Sequence, residues 1–191
     1  IRTTMELGGK TPIIVCEDAD IEGAIAGTLF AAFVASGQTC VSGARFIVHD
    51  KIYDRFVEGI ATRADQITIG DPMDEATQMG PVISQKSKDR CLDMIEQAKA
   101  DGAEMVAGAR PLDLPSDFVN GFYVRPTVFK DVETHHELFL EEVFGPVISI
   151  TRFKDDNEAM EMANTGTFGL GVSIWSRDIA RAHRLSLKVR G

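Results

Sequence analysis

Short runs of β-branched and aromatic residues recur along this chain, with helix-length segments between them. "TPIIVC" (11–16), "ARFIVH" (44–49), "VISITRF" (147–153) and "GVSIWS" (171–176) each have the length and composition of a strand. Asp18 and Asp20 are placed to cap a helix from about Ile21 to Ser36, which Gly37 would stop. Asp50 opens a second helix, on which Ile52, Phe56 and Ile60 recur every fourth position. Ser84 can cap a third, to about Lys99, with Cys91, Ile95 and Ala98 on one face. "ELFLEEVF" (137–144) predicts a short helix stopped by Gly145-Pro146, and Asp155 to Ala163 another, with Asp155 and Glu158 spaced as a capping box. Arg177 to Val189 reads as the last. "EMVAG" (104–108) is a further short strand and 122–129 an extended segment; 69–84 and 110–121 carry Gly or Pro without helical period and read as loops. Strands alternating with helices in this way predict an α/β fold, a largely parallel sheet flanked by helices.

Composition narrows the function classes. Hydrophobic residues make up 44% and charged residues 26%, the balance of a globular domain. The net charge of −9 comes with no Lys/Arg cluster beyond single residues and short pairs, so nucleic acid is not an expected partner. No apolar run reaches the ~20 residues that span a bilayer, so no membrane partner is expected either. The opening "IRTTMELGGK" has no apolar core of a secretory signal. Three cysteines, an odd count in a chain of this size, argue against a disulfide framework and for a reducing cytoplasm.

One cysteine differs from the other two. Cys16 ends an apolar run and Cys91 shares a helical face with Ile95, as small inert core residues do. Cys40 lies in the polar gap "ASGQTC" (35–40), between a helix stop and a strand, where functional groups concentrate. A thiol that can be reached and deprotonated is a nucleophile, and the Cys40 peptide N–H could face a developing oxyanion. An idle loop cysteine would look the same. His49, His135, His136 and His183 carry no local signature of a partner base. Glu6, in "MELGGK", sits between Met5 and Leu7, and an apolar setting raises a carboxyl pKa toward that of a general base. An ordinary exposed glutamate fits those residues equally well. Glu142 falls in the last turn of the 137–144 helix, where the macrodipole disfavours a negative charge, so a function there would explain it. "HHELFLEE" (135–142) has no zinc spacing, and no metal is expected.

Taken together, "ELGGK" (6–10) and "GQTC" (37–40) strongly resemble the two catalytic segments of the aldehyde dehydrogenase superfamily. "EEVFGPV" (141–147) and "NTGTFGLGVSIWSRD" (164–178) are similar to two further family segments, so the resemblance covers nearly the whole chain. It implies that Cys40 forms a thiohemiacetal and then a thioester with an aldehyde, that NAD or NADP takes the hydride, and that Glu6 activates the hydrolytic water. It further implies cofactor contacts from Leu7, Gly8, Glu142 and Phe144. Ser42 stands where some relatives similar to succinate-semialdehyde dehydrogenases carry a second cysteine, which counts against that subgroup's redox switch.

The family's cofactor domain lies mostly before "ELGGK", and "LGG" (7–9) is no dinucleotide fingerprint. The expected organisation is therefore a remnant of that domain at 1–9 and the aldehyde dehydrogenase catalytic domain at 10–191, truncated at its C-terminus. Such a piece is expected not to oxidise aldehydes alone, and the full-length protein to be a homo-oligomer. Two other readings stand beside this one. The first is a cysteine-dependent esterase or thioesterase without nicotinamide; the second is a non-catalytic interaction domain.

Overall fold

A computed structural model describes residues 1–114 and 116–190. Pro115, in the loop expected at 110–121, and Gly191, the end of the expected catalytic domain, lie outside the described residues. Six strands form one sheet: β1 (Thr11–Val15), β2 (Gly43–His49), β3 (Glu104–Ala107), β4 (Thr127–Lys130), β5 (Val147–Phe153) and β6 (Ser173–Trp175), in the order β3-β4-β5-β2-β1-β6. All neighbours are parallel except β3 and β4, so the α/β, largely parallel arrangement holds.

The central strands explain why their sequences run apolar without alternation: both sheet faces are covered. Ile13 and Val15 of β1 face a core completed by α1 (Ile21–Phe33) and α2 (Tyr53–Asp65), where Ile25, Phe56 and Ile60 are buried. Ile14 and Cys16 face the opposite core. That core is built from α3 (Gln85–Ala100), α4 (Glu137–Leu140), α5 (Asp156–Ala163) and α6 (Ile179–Ser186), through Cys91, Phe139, Ala159 and Leu185. Phe46 and Phe129, both fully buried, each stabilise the fold by roughly 1.5–3 kcal/mol through area removed from water.

Several boundaries differ from the sequence expectations. α1 ends at Phe33 rather than Ser36, because Ala35 and Ser36 take left-handed backbone with φ of 49° and 57°. Asp20 occupies its N-cap without a side-chain hydrogen bond. Asp18 caps nothing in α1; its carboxylate accepts from Ser176 Oγ at 2.8 Å and from the N–H groups of Arg177 and Asp178 at 2.9 Å, fixing the turn after β6. α4 stops at Leu140, since Glu141 is already extended (φ −98°, ψ 143°). Ser84 and Asp155 do cap α3 and α5, Ser84 accepting from Ser87 N–H and Asp155 from Asn157 and Glu158 N–H. Glu158 reaches back to Lys154 N–H at 2.6 Å, which completes a reciprocal cap one residue further out than the usual box.

At the carboxyl ends of the strands, where open α/β sheets commonly bind ligands, an ion-pair network fills the space. Arg181 of α6 reaches Glu17 at 2.7 Å and Asp156 at 2.6 Å, with its side chain only 13% exposed. No helix among the described residues is long and apolar enough to cross a membrane.

Candidate active site

The segments singled out in the sequence all lead into strands, at the opposite edge of the sheet. Residues 8–10 lead into β1, 40–42 into β2 and 142–146 into β5. Register then decides who meets. Thr11 pairs with Gly43, and Arg45 with Ser149, which aligns the starts of three adjacent strands.

The cysteine loop is held from several sides. After α1, the backbone passes through three successive left-handed residues, Ala35, Ser36 and Gly37 (φ 72°). For a non-glycine residue that conformation costs roughly 1–2 kcal/mol. Ser36 is buried and donates to Gly80 O at 2.9 Å, which offsets part of that cost. Gly37 has a second constraint, because a Cβ there would lie 2.4 Å from Gly145 O. Gln38 accepts from Ile83 N–H at 2.9 Å. A turn closed by Ser42 N–H to Thr39 O at 2.9 Å then presents Cys40 and Val41 outward. Ser42 Oγ donates to Ala31 O at 2.9 Å and ties that turn to the end of α1.

Cys40 is exposed, whereas Cys16 and Cys91 are buried. Burial pushes the Cys16 thiol up to about 12 and the Cys91 thiol up to about 11. Both stay protonated and shielded at neutral pH, as the sequence reading expected of inert core cysteines. In the folded chain iodoacetamide is expected to alkylate Cys40 at least roughly a hundredfold faster than either of the others. Peptide mass spectrometry against time checks this, and equal labelling of all three would remove the basis for choosing Cys40.

Glu142 is placed by tertiary contacts. One carboxylate oxygen, Oε1, accepts from Gly9 N–H at 2.9 Å, and Arg90 of α3 donates to the Glu142 carbonyl. The other oxygen, Oε2, lies where a Cβ on Gly8 would come within 2.5 Å, so only glycine fits at that position. Because α4 ends two residues earlier, the macrodipole argument for Glu142 does not apply. Phe144 follows in left-handed backbone (φ 56°) and is 41% exposed, a strained aromatic facing outward. A tight cleft results, lined by Gly9, Thr39, Ser42, Glu142 and Phe144 among others. The Cys40 carbonyl runs beside it, 3.4 Å from where a Gly9 Cβ would be.

Glu6 and Leu7 lie on the exposed segment that leads to Gly8 and are not among the residues lining that cleft. The apolar surroundings expected for Glu6 are not provided, since Met5 is 69% and Leu7 53% exposed. The turn before α4 gathers Glu133, His135 and His136 within 4.8 Å of one another. There His136 Nδ1 accepts from Glu133 N–H, and His135 Nδ1 lies 3.3 Å from the Glu133 carboxylate.

Two charged residues of the site were passed over in the sequence reading. Arg45, inside β2, is 2% exposed. It donates to Lys10 O at 3.0 Å, Thr165 O at 2.8 Å and Ala163 O at 3.0 Å, and lies 4.9 Å from the Phe139 ring centroid. It thus ties the start of β1 to the end of α5, at the cost of a guanidinium lowered to about 10 by burial. Lys10, the last residue of "ELGGK", is also 2% exposed. The available signal was a cation set directly against a strand-like run, "KTPIIV" and "ARFIVH" alike.

Comparison with known proteins adds a second line of observation. The family model described as Aldehyde dehydrogenase family matches residues 1–190. A betaine aldehyde dehydrogenase of Brucella anthropi is 46% identical over 182 residues, covering 95% of this chain and 37% of that protein. The chain therefore spans about 37% of the length of the curated relatives it matches. A crystal structure of betaine aldehyde dehydrogenase from Staphylococcus aureus in complex with NAD+ superposes with a TM-score of 0.92 at 36% identity, over 96% of this chain and 36% of that one. PnpE from Pseudomonas sp. WBC-3 does so with a TM-score of 0.93 at 41% identity, over 97% and 38%.

Proposed function

This chain belongs to the aldehyde dehydrogenase family, and from that premise we propose that the whole protein oxidises an aldehyde to a carboxylic acid with NAD+ or NADP+. Cys40 is the nucleophile. Its thiolate adds to the aldehyde carbon, a C–S bond forms, and the Cys40 peptide N–H is a candidate donor to the resulting alkoxide. A bound nicotinamide supplies the two-electron acceptor that oxidises this adduct to a thioester. Glu6 then takes a proton from water as the water oxygen adds to the thioester carbon. The C–S bond breaks, the carboxylic acid leaves and the thiolate is restored.

The residues present fit a nicotinamide ribose. Glu142 has one oxygen engaged with Gly9 N–H and the other turned toward the cradle that Gly8 leaves open. That second oxygen would accept from ribose hydroxyls, with Phe144 against the nicotinamide ring and Leu7 and Gly8 lining its reactive end. The observation that carries the reading is this meeting of an exposed thiol loop with a carboxylate held by the backbone of "ELGGK".

In the same reading residues 1–9 are a remnant of the cofactor-binding domain and 10–191 the catalytic domain, the whole protein is a homo-oligomer, and it works in a reducing cytoplasm. The three free cysteines suit that compartment. The test is an assay of the whole protein with NAD+, NADP+ and a panel of aldehydes that includes betaine aldehyde, the substrate named for its relatives. Acid and reduced nicotinamide are expected in equal amounts. Ester hydrolysis without nicotinamide, and no aldehyde oxidation, would establish the thioesterase reading instead.

A further inference from the structure

We infer that Lys10 is a positioning residue for Glu142, its buried amine supplying the counter-charge that keeps this carboxylate ionised and seated on the Gly9 N–H. The inference rests on the proposed function, because Glu142 there holds the cofactor. Three observations carry it. Lys10 is one of the largest fully buried side chains, although lysine is almost never buried without a partner. Its Nζ has no hydrogen-bond partner among the described residues. Its neighbour Gly9 is the residue whose N–H holds Glu142, at 2.9 Å. Arg45, donating to the Lys10 carbonyl at 3.0 Å, fixes the backbone so that the amine is directed inward.

The charged groups acting on that amine come from three other elements. Arg45 on β2 and Arg90 on α3 repel its proton, while Glu142 and Glu141, after α4, attract it. Burial is the largest influence, then Arg45, and together with the others they bring Lys10 from its ordinary value down to about 7. The amine is therefore charged below neutrality and loses its proton above it. A structural lysine would gain nothing from such a place, and a methionine would fill it without desolvating a charge.

Two measurements decide. In this chain, NMR of the lysine ε-methylene groups should show Lys10 titrating near pH 7, and Glu142→Gln should lower that midpoint. In the whole protein, Lys10→Met should raise KM for NAD+ by roughly tenfold, the loss of one charge-assisted contact, with kcat changed little. Wild-type KM should rise as pH passes upward through 7, and the Lys10→Met profile should be flat across that range. A midpoint unmoved by Glu142→Gln, or an unchanged KM in Lys10→Met, overturns the inference. If the wild-type whole protein oxidises no aldehyde, the functional reading fails instead, and the NMR titration still decides whether Lys10 and Glu142 are coupled.

Discussion

Cys40→Ala is expected to lower aldehyde oxidation by the whole protein by roughly 10⁴-fold or more, because no other thiol can take its place. Cys16 and Cys91 are both buried, and both thiols are pushed far above neutrality. Glu6→Gln is expected to behave differently. Adduct formation and oxidation need no proton acceptor at that position, so the first turnover should proceed. Hydrolysis of the thioester should slow by roughly 10²–10⁴-fold, the usual contribution of a general base. Rapid mixing should then show a burst of reduced nicotinamide equal to the enzyme concentration, followed by a slow phase, with an acyl group on the Cys40 peptide. A Glu6→Gln enzyme without a burst would place the defect before the thioester and take the hydrolytic role from Glu6.

The second large effect concerns stability and its dependence on pH. Lys10 has a lower pKa in the fold, about 7, than in the unfolded chain, where 10.5 is the ordinary value. Between those two values the unfolded chain binds more protons, so stability must rise with pH across that window. Below pH 7 the full cost of burying the charge is present; above about 10.5 none remains. At about 1.4 kcal/mol per unit, a shift from 10.5 to about 7 corresponds to roughly 5 kcal/mol. Lys10→Met should therefore stabilise the chain by several kcal/mol at pH 6, and much less at pH 10. Urea unfolding of both forms at the two pH values checks this. Parallel behaviour of wild type and variant would mean that the amine reaches water in the folded state. A substitution that strengthens the fold while weakening the hold on the cofactor is the signature of a residue kept for its site.

Much of the architecture was legible because burial on both sheet faces leaves a plain mark. "TPIIVC" and "VISITRF" are apolar throughout, and Ser84 and Asp155 announce their helices. The failures have local causes. Ala35 and Ser36 are ordinary helix-compatible residues, and their left-handed backbone is imposed by the Ser36 bond to Gly80, 44 positions away. "ELFLEEVF" has helical composition, yet it unwinds at Glu141 and is held extended by Gly9 and Arg90. Cys40 was legible from the polarity of its surroundings. The apolar setting read for Glu6 from Met5 and Leu7 was misleading, because both neighbours are exposed. Lys10 and Arg45 were missed because pattern reading sends every cation to the surface, whereas here the backbone carbonyls of Lys10, Ala163 and Thr165 accept from the Arg45 guanidinium.

The chain gathers its chemical groups at the edge where strands begin, each on a separate connection: Gly8–Gly9 before β1, Cys40 before β2, Glu142 before β5. This gives the site independently adjustable parts. Val41, 57% exposed beside the thiol, can change size without touching the Gly9–Glu142 hydrogen bond. An insertion in the loop after Ala35 would shift the thiol and leave the carboxylate in its seat. Selectivity for one aldehyde over another can thus drift through the turn at residues 39–42, while the grip on the cofactor is inherited unchanged from the strands beneath.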